Sequence, residues 1–333
     1  MYKSGICFLP FLLTVLFSHA QPRKFRFTET KMGSPFHIIL ITEDSAKAAT
    51  IARSGFQLVD SFNRIFSDYD STSELSKLNA QAGIRSVKLS SALWDILLQS
   101  KIAYRLSKGA FDITIAPLSS IWRKARKNNQ FPGEPLLEST RQLIGFSKLV
   151  LDTMKHSVYL PIRGMHLDLG GIAKGYTAEK LVRFIQNKGI QKCLVDAGGD
   201  MVMGEAAANS NGWTIGVNIP ETTDELLPDK LSLQNKSVAT SGDAYQYFAH
   251  DGKKYSHIIN PLTGYGITTQ RNVTVIADSG TIADWLATTA SILPIADAKK
   301  LAASLHASLL ITEIEQGRIV SYQTSDFKNF WKK

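Results

Sequence analysis

The residues with the most chemical promise stand in "DLGGIAKGYTAEK", from Asp168 to Lys180. An acid, a glycine pair and a lysine just inside a helix offer an anion free backbone N–H groups, a positive helix end and a full charge. Glycine lets the backbone come close without a Cβ in the way. The spacing is neither G-x-x-x-x-G-K-[ST] nor G-x-G-x-x-G, so alone it names no nucleotide and reads equally well as a tight corner. A second Asp-x-Gly-Gly, Asp196 to Gly199, places another such turn at the end of the next strand. In "SGTIADWLATTASIL" (279–293), Asp284 and Thr288 are four apart and share a helical face. A carboxylate, a hydroxyl and backbone carbonyls make an oxygen-only set suited to Mg²⁺. His257, in "KYSHIINPLTG" (254–264), lies beside a turn and is a candidate general base, because imidazole titrates near neutrality. Each pattern also has a plain structural reading: a surface lysine, a polar residue inside a helix, a hydrogen-bonded histidine.

The pattern of apolar residues suggests the elements that must position these groups. Residues 25–42 alternate into two strands broken by Met32-Gly33-Ser34-Pro35, a turn signal. A helix fits Ser45 to Phe66, with Ile51, Leu58, Phe62 and Ile65 near one face. The polar stretch 67–79 offers Ser71 or Thr72 as cap for a short helix, and a second long helix fits Ser91 to Leu106. "KLVLD", "SVYLP" and "MHLDL" read as strands after residue 148, the last ending at the glycine turn; a helix follows to Asn187 and a strand covers Lys192 to Val195. The rest is β-rich, apart from a helix over Thr281 to Ile292, and closes on a hairpin. The expected fold class is α+β, with mixed sheets and packed helices.

Composition narrows the function. The chain has 333 residues, 44% hydrophobic and 20% charged, enough apolar sequence for a full core in one large domain or two closely packed ones. Residues 1–20 have Lys3, an apolar run from Ile6 to Phe17 and small residues to Ala20, the pattern of a secretory signal. Its removal takes away one lysine and no acid, so the formal charge falls from +9 to +8. Cys193 is then the single cysteine, which leaves no internal disulfide. The expectation is an exported, periplasmic protein of residues 21–333 that is not an integral membrane protein. The densest basic run, Trp122 to Lys127, reads as a solvated surface stretch, and export argues against a nucleic-acid partner. A membrane surface or an acidic protein remains open as its partner.

Taken in order, the motifs resemble one family. They are "KMGSPF" (31–36), "FSDYDSTSELSKLN" (66–79), "GAFDITIAPLSSIW" (109–122), "DLGGIAKGYTAEKL" (168–181), "DAGGD" (196–200), "ATSGD" (239–243), "HIINPLTG" (257–264) and "ADWLATTASIL" (283–293). The set resembles the ApbE family of FAD:protein FMN transferases over essentially the whole chain after residue 20. The resemblance implies an ApbE-like, T-fold-like architecture and an FAD site at Met32, Tyr69, Ala110, Phe111, Asp112, Asp168, Lys174 and Ile259. It implies Mg²⁺ held by the Gly171 carbonyl, Asp284 and Thr288, with Ala287 where some members carry a second carboxylate. The reaction implied is transfer of FMN from FAD, as substrate, to a Ser or Thr hydroxyl of an acceptor protein carrying Ser/Thr-Gly-Ala-Ser/Thr, with release of AMP. Lys174 and the glycine-turn amides would stabilise charge, Asp284 would serve through the metal, and His257 would take the hydroxyl proton, Asp168 and Asp284 being alternative bases. The single Gly-Ala of this chain, Gly109-Ala110, precedes Phe111, so the chain lacks the acceptor motif itself. Hydrolysis of FAD to FMN and AMP, and non-catalytic FAD binding, are the rival readings.

Overall fold

A computed structural model describes residues 21–219, 226–242 and 247–332. The expected signal segment, residues 1–20, lies outside the described residues, as does Asp243 of the "ATSGD" motif. Eight strands form one sheet in which spatial order equals chain order: β1 (Arg23–Lys31), β2 (Ser34–Thr42), β3 (Cys193–Ala197), β4 (Asp200–Met203), β5 (Ser237–Ser241), β6 (Arg271–Ala277), β7 (Ser308–Glu315) and β8 (Arg318–Gln323). The α+β class is as expected. Within it, every pairing between named strands is antiparallel, where the sequence suggested mixed sheets.

The helices enter in two blocks. Between β2 and β3 come α1 (Ser45–Phe66), α2 (Glu74–Asn79), α3 (Ser91–Leu106), α4 (Ala116–Asn128), α5 (Glu134–Arg141) and α6 (Ala173–Asn187). Between β6 and β7 come α7 (Gly280–Ile292) and α8 (Ile295–Ser304). The side-chain period of two sorts the strands onto two cores. Val195 of β3 packs with Val59 of α1 and Leu181 of α6, and Val273 and Val275 of β6 pack with Leu286 of α7. Their neighbours Leu194 and Ile276 point the other way, into a core with Trp213, Leu231 and Phe327. Cover on both faces explains why "RNVTVIA" is buried along its whole length. Among the described residues no helix is long and apolar enough to cross a membrane.

Two local expectations are corrected. The cap of α2 is Ser73, which accepts from the Ser76 N–H at 3.0 Å, rather than Ser71 or Thr72. "MHLDL" joins no sheet, and the Asn79 side chain takes the place of a neighbouring strand at Leu167. Its amide accepts from the Leu167 N–H at 2.8 Å and donates to the Leu167 carbonyl at 3.0 Å. The first glycine turn therefore follows a loop held by a side chain, whereas the second closes the β3–β4 hairpin.

Candidate active site

Tyr69, Ala110, Phe111, Asp112, Asp168, Gly171, His257, Ile259 and Thr288, far apart in sequence, all line one cavity of about 270 Å³. Asp68, Ser119 and Ser241 line it as well, and nothing in their spacing marks them. Met32 does not reach it: this residue occupies the β1–β2 turn with φ +49° and packs against the helical core.

The Ala110-Phe111-Asp112 turn is built from its own hydrogen bonds. The Phe111 N–H donates to Ser107 Oγ at 2.9 Å. Asp112 accepts from the Thr114 N–H, the Thr114 hydroxyl and the Phe146 N–H, at 2.9, 2.6 and 3.0 Å. Burial nevertheless pushes its carboxyl above the usual range, against those bonds. Asp112 is thus the fixed corner of this wall rather than a free acid. The Asp168 N–H donates to the Ile113 carbonyl at 2.7 Å, which ties the glycine turn to the Ala-Phe-Asp turn. Asp168 Oδ1 closes the glycine turn by accepting from the Gly170 N–H at 2.8 Å.

Gly171 is glycine for proximity: a Cβ there would lie 3.1 Å from Thr288 Oγ1 and 3.2 Å from the Phe111 ring. Four residues along from it, Gly175 meets Gly280. A Cβ on Gly175 would stand 2.2 Å from the Gly280 carbonyl oxygen, so α6 and α7 cross almost backbone on backbone. That crossing lets each helix cap the other. Asp284 of α7 accepts from the Gly175 N–H at 2.8 Å, in the first turn of α6, which has no side-chain cap of its own. Glu179 of α6 accepts from Ser279 Oγ at 2.6 Å, Thr281 Oγ1 at 3.1 Å and the Thr281 N–H at 3.2 Å, at the start of α7. Both carboxylates sit where helix dipoles favour negative charge.

Near the α6–α7 crossing lies a charged cluster, with Lys174 in the first turn of α6 and Asp284 on α7. Lys174 Nζ is 2.6 Å from Asp200 Oδ2, and both Asp200 and Asp284 are buried. Burial and the neighbouring Asp200 push the Asp284 carboxyl up to about 8, with Lys174 opposing. Burial also raises Asp200, again against Lys174. Lys174 moves upward because Asp200 and Asp284 outweigh the effect of its own burial. Lys174 and Asp284 are not among the residues that line the cavity; Asp284 lies one turn before the lining residue Thr288 on α7. Asp200 is the member that the sequence did not single out, although it closes the quoted "DAGGD". His257 is exposed at the cavity.

The donor set fits a hard divalent cation: the buried Asp284 carboxylate, the Thr288 hydroxyl one turn along, and a Gly171 backbone that abuts this hydroxyl. Ala287 is buried and contributes no side-chain oxygen. No group of three His, Cys, Asp or Glu side chains suited to a metal occurs among the described residues, so such a site depends on the hydroxyl and a backbone carbonyl.

Comparison with known proteins bears on the family and the fold. The family model for the ApbE family matches residues 32–311. A FAD:protein FMN transferase of Klebsiella pneumoniae is 30% identical over 257 residues, covering 77% of this chain and 78% of its own. Another from Vibrio cholerae is 27% identical over 312 residues, 91% of each chain. The crystal structure of the ApbE protein from Thermotoga maritima superposes with a TM-score of 0.83 at 27% identity, over 93% of this chain and all of that one. A matched family model over most of the chain, together with the shared fold, places this chain in the ApbE family.

Proposed function

We propose that this protein transfers FMN from FAD to a Ser or Thr hydroxyl of an acceptor protein and releases AMP. Its relatives are named FAD:protein FMN transferases. The observation that carries the reading is the convergence on one cavity of the Tyr69 segment, the Ala-Phe-Asp turn, the glycine turn, His257 and Thr288, with the Lys174–Asp200 ion pair and Asp284 on the elements that carry the glycine turn and Thr288. A cavity of this size is below the ~300–1,000 Å³ usual for enclosing a drug-sized ligand, so part of the dinucleotide extends beyond it.

In the reaction the acceptor oxygen attacks the phosphorus on the FMN side of the FAD pyrophosphate, the P–O bond to AMP breaks, and the hydroxyl proton must leave. His257, exposed at the cavity, is the first candidate to take that proton. Gly171, Asp284 and Thr288 would hold Mg²⁺, which when bound supplies neutralisation of the pyrophosphate charge. Lys174, fixed by Asp200, supplies positive charge behind the glycine turn, whose close approach to Thr288 and Phe111 sets the shape of the wall. Asp112, with its oxygens hydrogen-bonded inside the protein, keeps that shape.

The test is product analysis of protein, FAD and an acceptor domain carrying Ser/Thr-Gly-Ala-Ser/Thr, with Mg²⁺ or with a chelator. Labelled acceptor with Mg²⁺ alone supports the reading. Free FMN beside unmodified acceptor would assign FAD hydrolysis instead, and intact bound FAD would assign storage. Export after cleavage near Ala20 belongs to the same proposal; N-terminal sequencing of the secreted protein should begin at or near Gln21, and a chain retaining Met1 would overturn it.

A further inference from the structure

The basic run on α4 does more than face solvent. The Arg123 side chain is only one-third exposed, and its Nη1 and Nη2 atoms each lie 3.2 Å from Asp68 Oδ2. Its guanidinium carbon is 5.0 Å from the centroid of the Tyr69 ring, within cation–π range. Asp68 and Tyr69 both line the cavity, while Arg123 stands behind them. Arg126, one turn further along α4, has a buried Nη1 with no hydrogen-bond partner among the described residues.

The cavity needs positive charge at this rim. Its lining contains three carboxylates, Asp68, Asp112 and Asp168. Burial and Asp168 both push the Asp68 carboxyl upward, and Arg123 is the group opposing them. A wall of that composition repels phosphates unless a fixed cation offsets it, and the effect is strong where low-dielectric walls limit screening. Tyr69 is 81% exposed, so Arg123 backs the ring while leaving it open to a planar ligand.

We propose that Arg123 is a positioning residue for phosphate-bearing flavin: it offsets Asp68 and Asp168 at the rim and holds the Tyr69 ring in place. The inference rests on the FAD reading above and adds a residue to it. An ordinary rim ion pair contributes little to folding and nothing to ligand choice. Arg123 differs because both of its partners are cavity walls.

The test is fluorescence titration with FAD and with riboflavin, which has the same ring and no phosphate. Arg123→Ala should weaken FAD binding about tenfold and riboflavin clearly less, the differential expected of a lost charge–phosphate interaction. Arg123→Lys should recover part of the FAD loss through its charge, and adding Asp68→Asn to Arg123→Ala should recover the charge-dependent part of that loss while leaving riboflavin at its Arg123→Ala level. If Arg123→Ala fails to fold, Asp68→Asn alone carries the test, and it should tighten FAD but not riboflavin. FAD affinity unchanged in the Arg123 variants, or FAD and riboflavin weakened in equal proportion, would overturn the inference. A wild-type protein that binds no FAD would instead overturn the functional reading on which it rests.

Discussion

At the scale of single residues, Asp284 holds two roles that substitution can separate. Its carboxylate caps α6 through the Gly175 N–H and is the one carboxylate of the expected cation site. Asp284→Asn keeps an oxygen for the N–H and puts a neutral amide where a carboxyl raised to about 8 stands beside Asp200, so metal-free stability near neutral pH should hold. Mg²⁺ binding and transfer should be lost, with the single-turnover rate down ~10²–10³-fold, the scale of losing a charge-stabilising group. Calorimetric Mg²⁺ binding at wild-type strength in this variant would remove Asp284 from the site. For the base, His257→Ala should slow single-turnover transfer ~10²–10⁴-fold with FAD affinity within about twofold; an unchanged rate would shift that role to another group. Asp284 and Thr288 were legible because helical spacing puts them on one face. Arg123 and Asp200 were not, because their partners arrive from other elements: Asp68 from the loop after α1, Lys174 from the start of α6.

At the scale of elements, the site depends on how closely α6 and α7 approach. The sequence shows each helix and each glycine, but not that Gly175 and Gly280 face one another, since that is a property of packing. Gly175→Ala puts a methyl 2.2 Å from a carbonyl oxygen, and backbone must move to relieve it. The expected cost is ~1–3 kcal/mol in denaturant unfolding, with a larger proportional loss of transfer because the Asp284 cap is displaced. Wild-type stability and rate in that variant would show the crossing to be unimportant. The far end of α7 is held by Arg271, whose Nη1 donates to the Ala290 and Leu293 carbonyls at 2.9 and 2.8 Å while the guanidinium pairs with Glu313. Arg271→Leu leaves Glu313 buried without its partner and should cost ~3–5 kcal/mol, measurable as a lowered denaturation midpoint. Adding Glu313→Leu should return part of that stability; no recovery would mean that the helix-end carbonyls carry the whole effect.

At the scale of the molecule, an antiparallel sheet running in chain order carries two helical insertions, and the cavity forms where they meet. The helix spans were readable from period and caps: Ser45 to Phe66 is α1 and Ser91 to Leu106 is α3, residue for residue. "MHLDL" was misread because strand-like alternation records burial, and the Asn79 amide satisfies that backbone without a partner strand. Met32 shows the same limit at the site, since its place in the family motif does not bring it to the cavity wall. The central claim is that chemistry at this cavity ends on an acceptor protein. The most direct measurement is intact mass of an acceptor carrying the Ser/Thr-Gly-Ala-Ser/Thr motif, incubated with the protein, FAD and Mg²⁺, with AMP counted in the same reaction. The expected result is acceptor heavier by one FMN phosphoester on a Ser or Thr, matched one for one by AMP. AMP and free FMN accumulating while the acceptor mass stays unchanged would contradict it.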